Sequence, residues 1–336
     1  MSERAHGGSK KVQYDFSVNL NPFVSKRFIK SLVNSNYKYA IKYPEERADS
    51  LLKFLADFYG LKIEQITAGN GSIELLYYLP SVLEIKRIIT LEPTFCEYRY
   101  ISEINGIEHI PIYSSDKFFW DFDNLKNVLR KGDLVIICNP NNPTGNIFSK
   151  EDILGLLKKD VFVLVDEAFM DFSERDESLI SDIKYYENLF VLKSFTKIFS
   201  IAGLRVGVLL GDEKVIDKIK KRLPLWNVNG IAIEITKEFL KNKELIEKTK
   251  KCVKREKSFL INEFKKLPVK YFDSYANFLL LKMDKAKSFI DFVYKKNISV
   301  RTNSGFLGLD ESYIRIAIKD RKENRILIDT FKEFYK

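Results

Sequence analysis

Histidine is nearly missing from this chain: two occur in 336 residues, His6 in a glycine-rich leader and His109 in an apolar stretch. That leaves almost no room for a histidine-built metal site or a triad with histidine as base. Cysteine is as sparse. Cys96, Cys138 and Cys252 stand far apart, and an odd number of scattered thiols argues against a disulfide framework, so no metal and no staples are expected. Long apolar runs are absent too. Stretches such as Val161–Val165 and Phe278–Leu281 fall far short of the roughly 18 residues of a membrane span. Met1 to Lys11 lacks the apolar core of a secretory signal, so the expected location is cytoplasmic. Any chemistry here must come from something other than histidine or cysteine.

What is present is a foldable composition, 45% hydrophobic and 30% charged, enough for a full core. Lys and Arg number 56 against 46 Asp and Glu, a net charge of +10. An excess of this sign suits nucleic acid, an acidic membrane or phosphorylated metabolites. The ordinary alternative is a solvated lysine-rich surface. Acids interleaved with bases, as across Glu244–Lys257, favour that alternative and argue against nucleic acid or membrane as partner.

From about 60 to 212, short β-branched runs alternate with amphipathic stretches. Arg87–Leu91, Ile107–Ile112, Leu134–Cys138, Val161–Val165, Leu189–Leu192 and Val206–Leu210 read as buried strands. Asp121 caps a helix running through Val128, and Ser149 with Asp152 forms a capping box before Ile153–Lys158. Such alternation predicts an α/β fold with a mostly parallel central sheet. Beyond Leu223 the pattern changes to a long helix, roughly Ile231 to Phe264, strands at Phe278–Leu281, Ile298–Arg301 and Tyr313–Ile318, and a last helix, Arg321 to Tyr335. The expected division is an N-terminal segment, 1–40, packing on the small domain and the active site; a large domain, 41–225; and a small α+β domain, 226–336.

Ligands on a parallel sheet bind outside the carboxyl ends of its strands, so the residues just past each strand are the ones to read for chemistry. Asn139-Pro-Asn-Asn-Pro-Thr-Gly145 comes after one strand, Asp166-Glu-Ala-Phe169 after another, and Ser194-Phe-Thr-Lys197 after a third, with Arg205 eight residues on. Ala68-Gly-Asn-Gly-Ser72 opens a helix whose free N–H groups suit a phosphate. Singly each has a bland explanation, as turn, cap or surface lysine. Together, a lysine, a carboxylate, an asparagine and a serine-rich cradle with an arginine make a site for pyridoxal 5'-phosphate (PLP). The lysine forms a Schiff base, and the carboxylate keeps the pyridine nitrogen protonated.

These segments, in this order and over almost the whole length, resemble the fold-type-I PLP enzymes of the class I/II aminotransferase group. The resemblance implies that Lys197 carries the cofactor, Asp166 pairs with its pyridine nitrogen, Asn142 holds its 3-oxygen and Phe95 stacks on its ring. It implies that Gly71, Ser72, Ser194, Thr196 and Arg205 cradle its phosphate, and that Tyr43 reaches the phosphate of a neighbouring subunit's cofactor, giving a homodimer with shared active sites. Arg315, in Tyr313-Ile-Arg-Ile-Ala, matches an arginine that forks onto a substrate carboxylate, a role lysine could not copy. Phe169 departs from the pattern: many members have tyrosine there, donating to the ring oxygen.

Within the group the chain is most similar to two branches acting on small phosphorylated substrates, the L-threonine-O-3-phosphate decarboxylases of cobalamin synthesis and the histidinol-phosphate aminotransferases. Both imply a phosphate-binding arginine near Arg301. His6-Gly-Gly8, Asp15-Phe-Ser-Val-Asn-Leu-Asn-Pro22 and Pro224-Leu-Trp-Asn-Val-Asn229 look closer to the decarboxylases and bring Asn19 and His6 in as further phosphate anchors. A regulatory or nucleic-acid-binding protein on a PLP fold is the non-enzyme alternative.

Overall fold

A computed structural model describes residues 6–8 and 11–336. Met1–Ala5, Ser9 and Lys10, which belong to the expected 1–40 segment, lie outside the described residues.

Seven strands form the central sheet, in the spatial order Ile66–Asn70, Val206–Leu210, Leu189–Ser194, Phe162–Asp166, Leu134–Cys138, Arg87–Glu92, Glu108–Tyr113. Val206–Leu210 runs antiparallel to both neighbours. The other pairings are parallel, so the expected mostly parallel α/β sheet is found. In sequence, Ala68–Ser72 reads only as the opening of a helix; Ile66–Asn70 is a paired edge strand, with that helix, Ser72–Leu83, directly after it.

Both faces of the sheet are covered, which is why its strands read as unbroken apolar runs. Side chains alternate between two cores. Val135, Ile137, Val163, Val165 and Val191 enter one; Leu134, Ile136, Leu164, Phe190 and Leu192 enter the other. The helix starts obey the sequence signals. Asp121 accepts from the Asp123 and Asn124 N–H groups at the head of Phe122–Val128, and Ser149 accepts from Asp152 N at 3.1 Å.

Two expectations are corrected. The long helix from 231 is two, Gly230–Lys241 and Lys243–Phe264, because Asn242 leaves helical geometry and its side chain caps the second by accepting from Leu245 N. The single strand Ile298–Arg301 is split. Ile298–Ser299 pairs in parallel with Tyr14–Asp15, and after Val300 the chain changes partner, so Arg301–Thr302 lies antiparallel to Tyr313–Ala317. Tyr313–Ala317 pairs in turn with Phe278–Lys282, and that strand with Lys270–Tyr271, completing a four-stranded antiparallel sheet. The change at Val300 makes Arg301 the register partner of Arg315.

Candidate active site

Because the strands before Gly71, Phe95, Asn142, Asp166 and Lys197 are mutually parallel, the loops after them meet at one sheet edge. Val206–Leu210 runs the other way, so Arg205, just before it, joins that edge. The result is a cavity of about 280 Å³ whose lining includes Ser72, Phe95, Asn142, Asp166, Lys197 and Arg205. It continues into a second of about 360 Å³ that adds Asn19, Arg301 and Arg315. Ser194, Thr196 and His6 also line the first.

Lys197 sits in the four-residue helix Phe195–Ile198 immediately after its strand. Its Nζ donates to Ser194 Oγ at 3.3 Å and lies 5.5 Å from the Phe169 ring centre. Burial lowers its pKa from the ordinary lysine value; Asp166 opposes this, and Arg205 and Arg315 add to it. A lysine so placed loses its proton more readily and becomes a nucleophile. Asp166 is raised by burial and drawn back by Lys197, by the Tyr98 hydroxyl and by the Ala168 N–H. Its Oδ2 accepts from Tyr98 at 2.8 Å and its Oδ1 from Ala168 N at 3.0 Å.

The candidate phosphate cradle is shaped by absent side chains. Gly71, at φ 77°, precedes the helix Ser72–Leu83, and a Cβ there would meet Arg205 Nη2 at 2.3 Å. A Cβ on Gly207 would come within 2.4 Å of Ser72 N. Free helix N–H groups, the hydroxyls of Ser194 and Thr196 (2.8 Å apart) and Arg205 therefore share a hollow lined with anion-binding groups. This donor set, with a buried lysine and a buried carboxylate, fits PLP.

Arg315 is buried. Its Nη1 donates to Asn142 Oδ1 and its Nη2 to the Ser17 carbonyl at 2.8 Å. With its amide turned so that the oxygen faces the guanidinium, Asn19 accepts from both nitrogens at 3.1 and 3.3 Å. Its Nε is buried without a hydrogen-bond partner among the described residues. Burial, then Arg301, brings its pKa down to about 9. Arg301 Nη2 donates to the Ser304 carbonyl at 2.6 Å, with the guanidinium over the Phe306 ring.

One of the sequence candidates stands apart from this grouping, and another lines it with its imidazole engaged elsewhere. Tyr43 is 83% exposed and lies against Trp226, 4.9 Å between ring centres. His6 lines both cavities but is bonded to Glu97, Nε2 to Oε1 at 3.0 Å. Three contributors are not evident from the sequence motifs. Glu97, 2% exposed, also accepts from the Tyr77 hydroxyl at 2.8 Å. Tyr98 carries a usable signal, since it comes three residues after Phe95 at a strand's carboxyl end. The Ser17 carbonyl has none, because any residue supplies one.

A lysine, a buried aspartate and a hollow of anion-binding groups on the carboxyl edge of this sheet fit a PLP enzyme of fold type I. The chain belongs to the aminotransferase class I and II family, whose model matches residues 12–331, and the family is PLP-dependent. It is 36% identical over 294 residues to a histidinol-phosphate aminotransferase of Pyrococcus furiosus, covering 87% of this chain and 83% of that protein. It is 32% identical over 349 residues to the adenosylcobalamin biosynthesis bifunctional protein CobDQ of Leptospira interrogans, covering all of this chain and 40% of that protein. Among solved structures it is similar to L-threonine-O-3-phosphate decarboxylase from Porphyromonas gingivalis, with a TM-score of 0.86, 26% identity, and 95% and 98% of the two chains covered. Among the described residues no helix is long and apolar enough to cross a membrane.

Proposed function

We propose that this enzyme acts on a small phosphorylated amino acid, L-threonine O-3-phosphate, releasing CO2 to form (R)-1-aminopropan-2-yl phosphate for cobalamin biosynthesis. The observation that carries the reading is the register pairing of Arg301 with Arg315 on a wall of the cavity that holds Lys197. Like charges directly opposite one another in a sheet are destabilising. A ligand bearing both a carboxylate and a phosphate offsets that repulsion and meets the unpartnered Arg315 Nε.

In this reading Arg315 grips the carboxylate in a fork, and Arg301, Asn19 and His6 hold the phosphate. Asn142, its carbonyl engaged by Arg315, has its N–H2 end left to donate to the cofactor's 3-oxygen, and Phe95 stacks on the ring. Gly71, Ser72, Ser194, Thr196 and Arg205 hold the cofactor phosphate. Asp166 balances the charge on the ring nitrogen, and Lys197 carries the cofactor and moves the proton at the substrate α-carbon. When bound, PLP supplies the electron sink for the pair released there. Tyr43, exposed beside Trp226, reaches the cofactor phosphate of a second copy, so the working unit is a homodimer.

The bond that breaks is the one at the α-carbon held perpendicular to the cofactor ring. The two arginines set that angle by fixing the carboxylate and phosphate ends of the substrate. Transamination of histidinol phosphate is the second reading, favoured by the 36% identity to the Pyrococcus protein; it requires a 2-oxo acid. The match to the cobalamin-synthesis protein runs over the entire chain, leader included, which supports decarboxylation. Incubation of the PLP-loaded protein with L-threonine phosphate, with and without 2-oxoglutarate, tests the choice. CO2 release independent of the oxo acid supports decarboxylation, and conversion that needs it overturns it.

A further inference from the structure

Tyr98 is fully buried and contacts two of the groups assigned to the cofactor. Its hydroxyl donates to Asp166 Oδ2 at 2.8 Å. Its ring packs edge-on against Phe95, at 5.6 Å between centres and 84° between planes. Both contacts arise from the local fold. The helix Glu97–Ile104 begins just after Phe95, and its first turn projects Tyr98 inward across the end of the strand that finishes at Asp166.

Asp166 can balance a charged ring nitrogen only while it is ionised, and burial works against that. Three groups work for it: Lys197, Tyr98 and the Ala168 N–H. Lys197 is itself engaged by the cofactor, so its contribution changes when the cofactor binds. The Ala168 N–H is backbone. Tyr98 is thus the one neutral side-chain donor on this carboxylate among the described residues, and burial and Asp166 hold its own pKa well above the usual tyrosine value, so it remains a donor. Phe169, which also lines the cavity, contributes no hydroxyl. The thiol of Cys138 nearby is pushed up to about 12, first by burial and then by Asp166, and adds no competing charge.

We propose that Tyr98 is a positioning residue that orients Asp166 toward the cofactor's ring nitrogen, fixes the carboxylate's charge, and braces Phe95 with the same ring. This rests on the assignment of Asp166 to that nitrogen. Relieved of the hydroxyl, Asp166 holds a proton more tightly, less charge is fixed on the ring nitrogen, and the Lys197 nitrogen joined to the cofactor becomes more basic.

The test is a pH titration of the visible absorbance of the lysine-bound cofactor, together with the PLP dissociation constant and the thermal midpoint of the cofactor-free protein. Tyr98→Phe keeps the ring and its contact with Phe95. It is expected to move the absorbance midpoint up by about one pH unit and to weaken PLP binding about tenfold, the scale of one hydrogen bond to a charged group. Difluorotyrosine at position 98 keeps the hydroxyl and makes it a stronger donor; the midpoint is expected to move down. A midpoint and an affinity equal to the parent's in both variants overturn the inference. An absorbance titration unchanged in Asp166→Asn overturns the Asp166 assignment, and the inference with it. A midpoint shifted in Asp166→Asn but in neither position-98 variant removes Tyr98 alone.

Discussion

Arg205 lies directly over Gly71, its Nη2 only 2.3 Å from where a side chain at that position would begin. The glycine also sits at φ 77° and ψ 157°, a region all but confined to glycine that costs another residue about 1–3 kcal/mol. Gly71→Ala must therefore displace the guanidinium or move the start of the next helix. The expected result is PLP binding weakened about tenfold or more, on the scale of a lost charge-assisted contact. Thermal denaturation of the cofactor-free protein should fall by only a few degrees, about the effect of 2–3 kcal/mol in a protein this large. Measuring both separates a damaged cradle from a damaged fold.

Arg301 and Arg315 make the second pair. Arg315→Lys keeps the charge but gives up the planar fork, and Arg301→Gln keeps a polar group but gives up the charge. For the phosphorylated substrate, kcat/KM is expected to fall about 100-fold in Arg315→Lys. Arg301→Gln should act mainly through KM. Steady-state kinetics on the two proteins checks both, and an unaltered KM in Arg301→Gln contradicts the anion-pair reading.

The pH dependence has a definite sign. Arg315 has a pKa of about 9, below its ordinary value, so its charge is complete well under that pH and is lost as pH rises through it. Competitive inhibition by acetate, a carboxylate that carries no phosphate, should therefore weaken above pH about 9 in the parent protein. Removing the neighbouring charge in Arg301→Gln raises the Arg315 pKa, so the decline should begin at higher pH. Inhibition constants measured across the range decide this.

Lys197→Ala removes the nitrogen assigned to carry the cofactor. The protein should still bind PLP through the phosphate cradle, but without the visible absorbance of a lysine-bound cofactor and without turnover. Retained turnover contradicts the assignment of Lys197.

Much of this site is legible in the sequence because parallel strands put the residues after them on one edge. Asp166, Lys197 and the Asn139–Gly145 turn can each be placed by counting from the end of an apolar run. The illegible part depends on register and on non-local pairing. That Arg301 faces Arg315 is a consequence of the change of partner at Val300, and periodicity over 298–301 reads simply as one strand. Asn242 ends a helix inside a stretch of otherwise helical composition, where only its own capping bond betrays the break. Glu97 resembles a surface acid at a helix start, a favourable place for one; only the fold shows that His6 and Tyr77 close over it.

The most direct test counts CO2. PLP-loaded protein is mixed with excess L-threonine O-3-phosphate in the absence of any 2-oxo acid, and CO2 is measured per active site while the cofactor absorbance is monitored. The account predicts many CO2 released per site with the absorbance of the lysine-bound cofactor restored at the end. No CO2, with the absorbance lost and returning only when a 2-oxo acid is added, would contradict it.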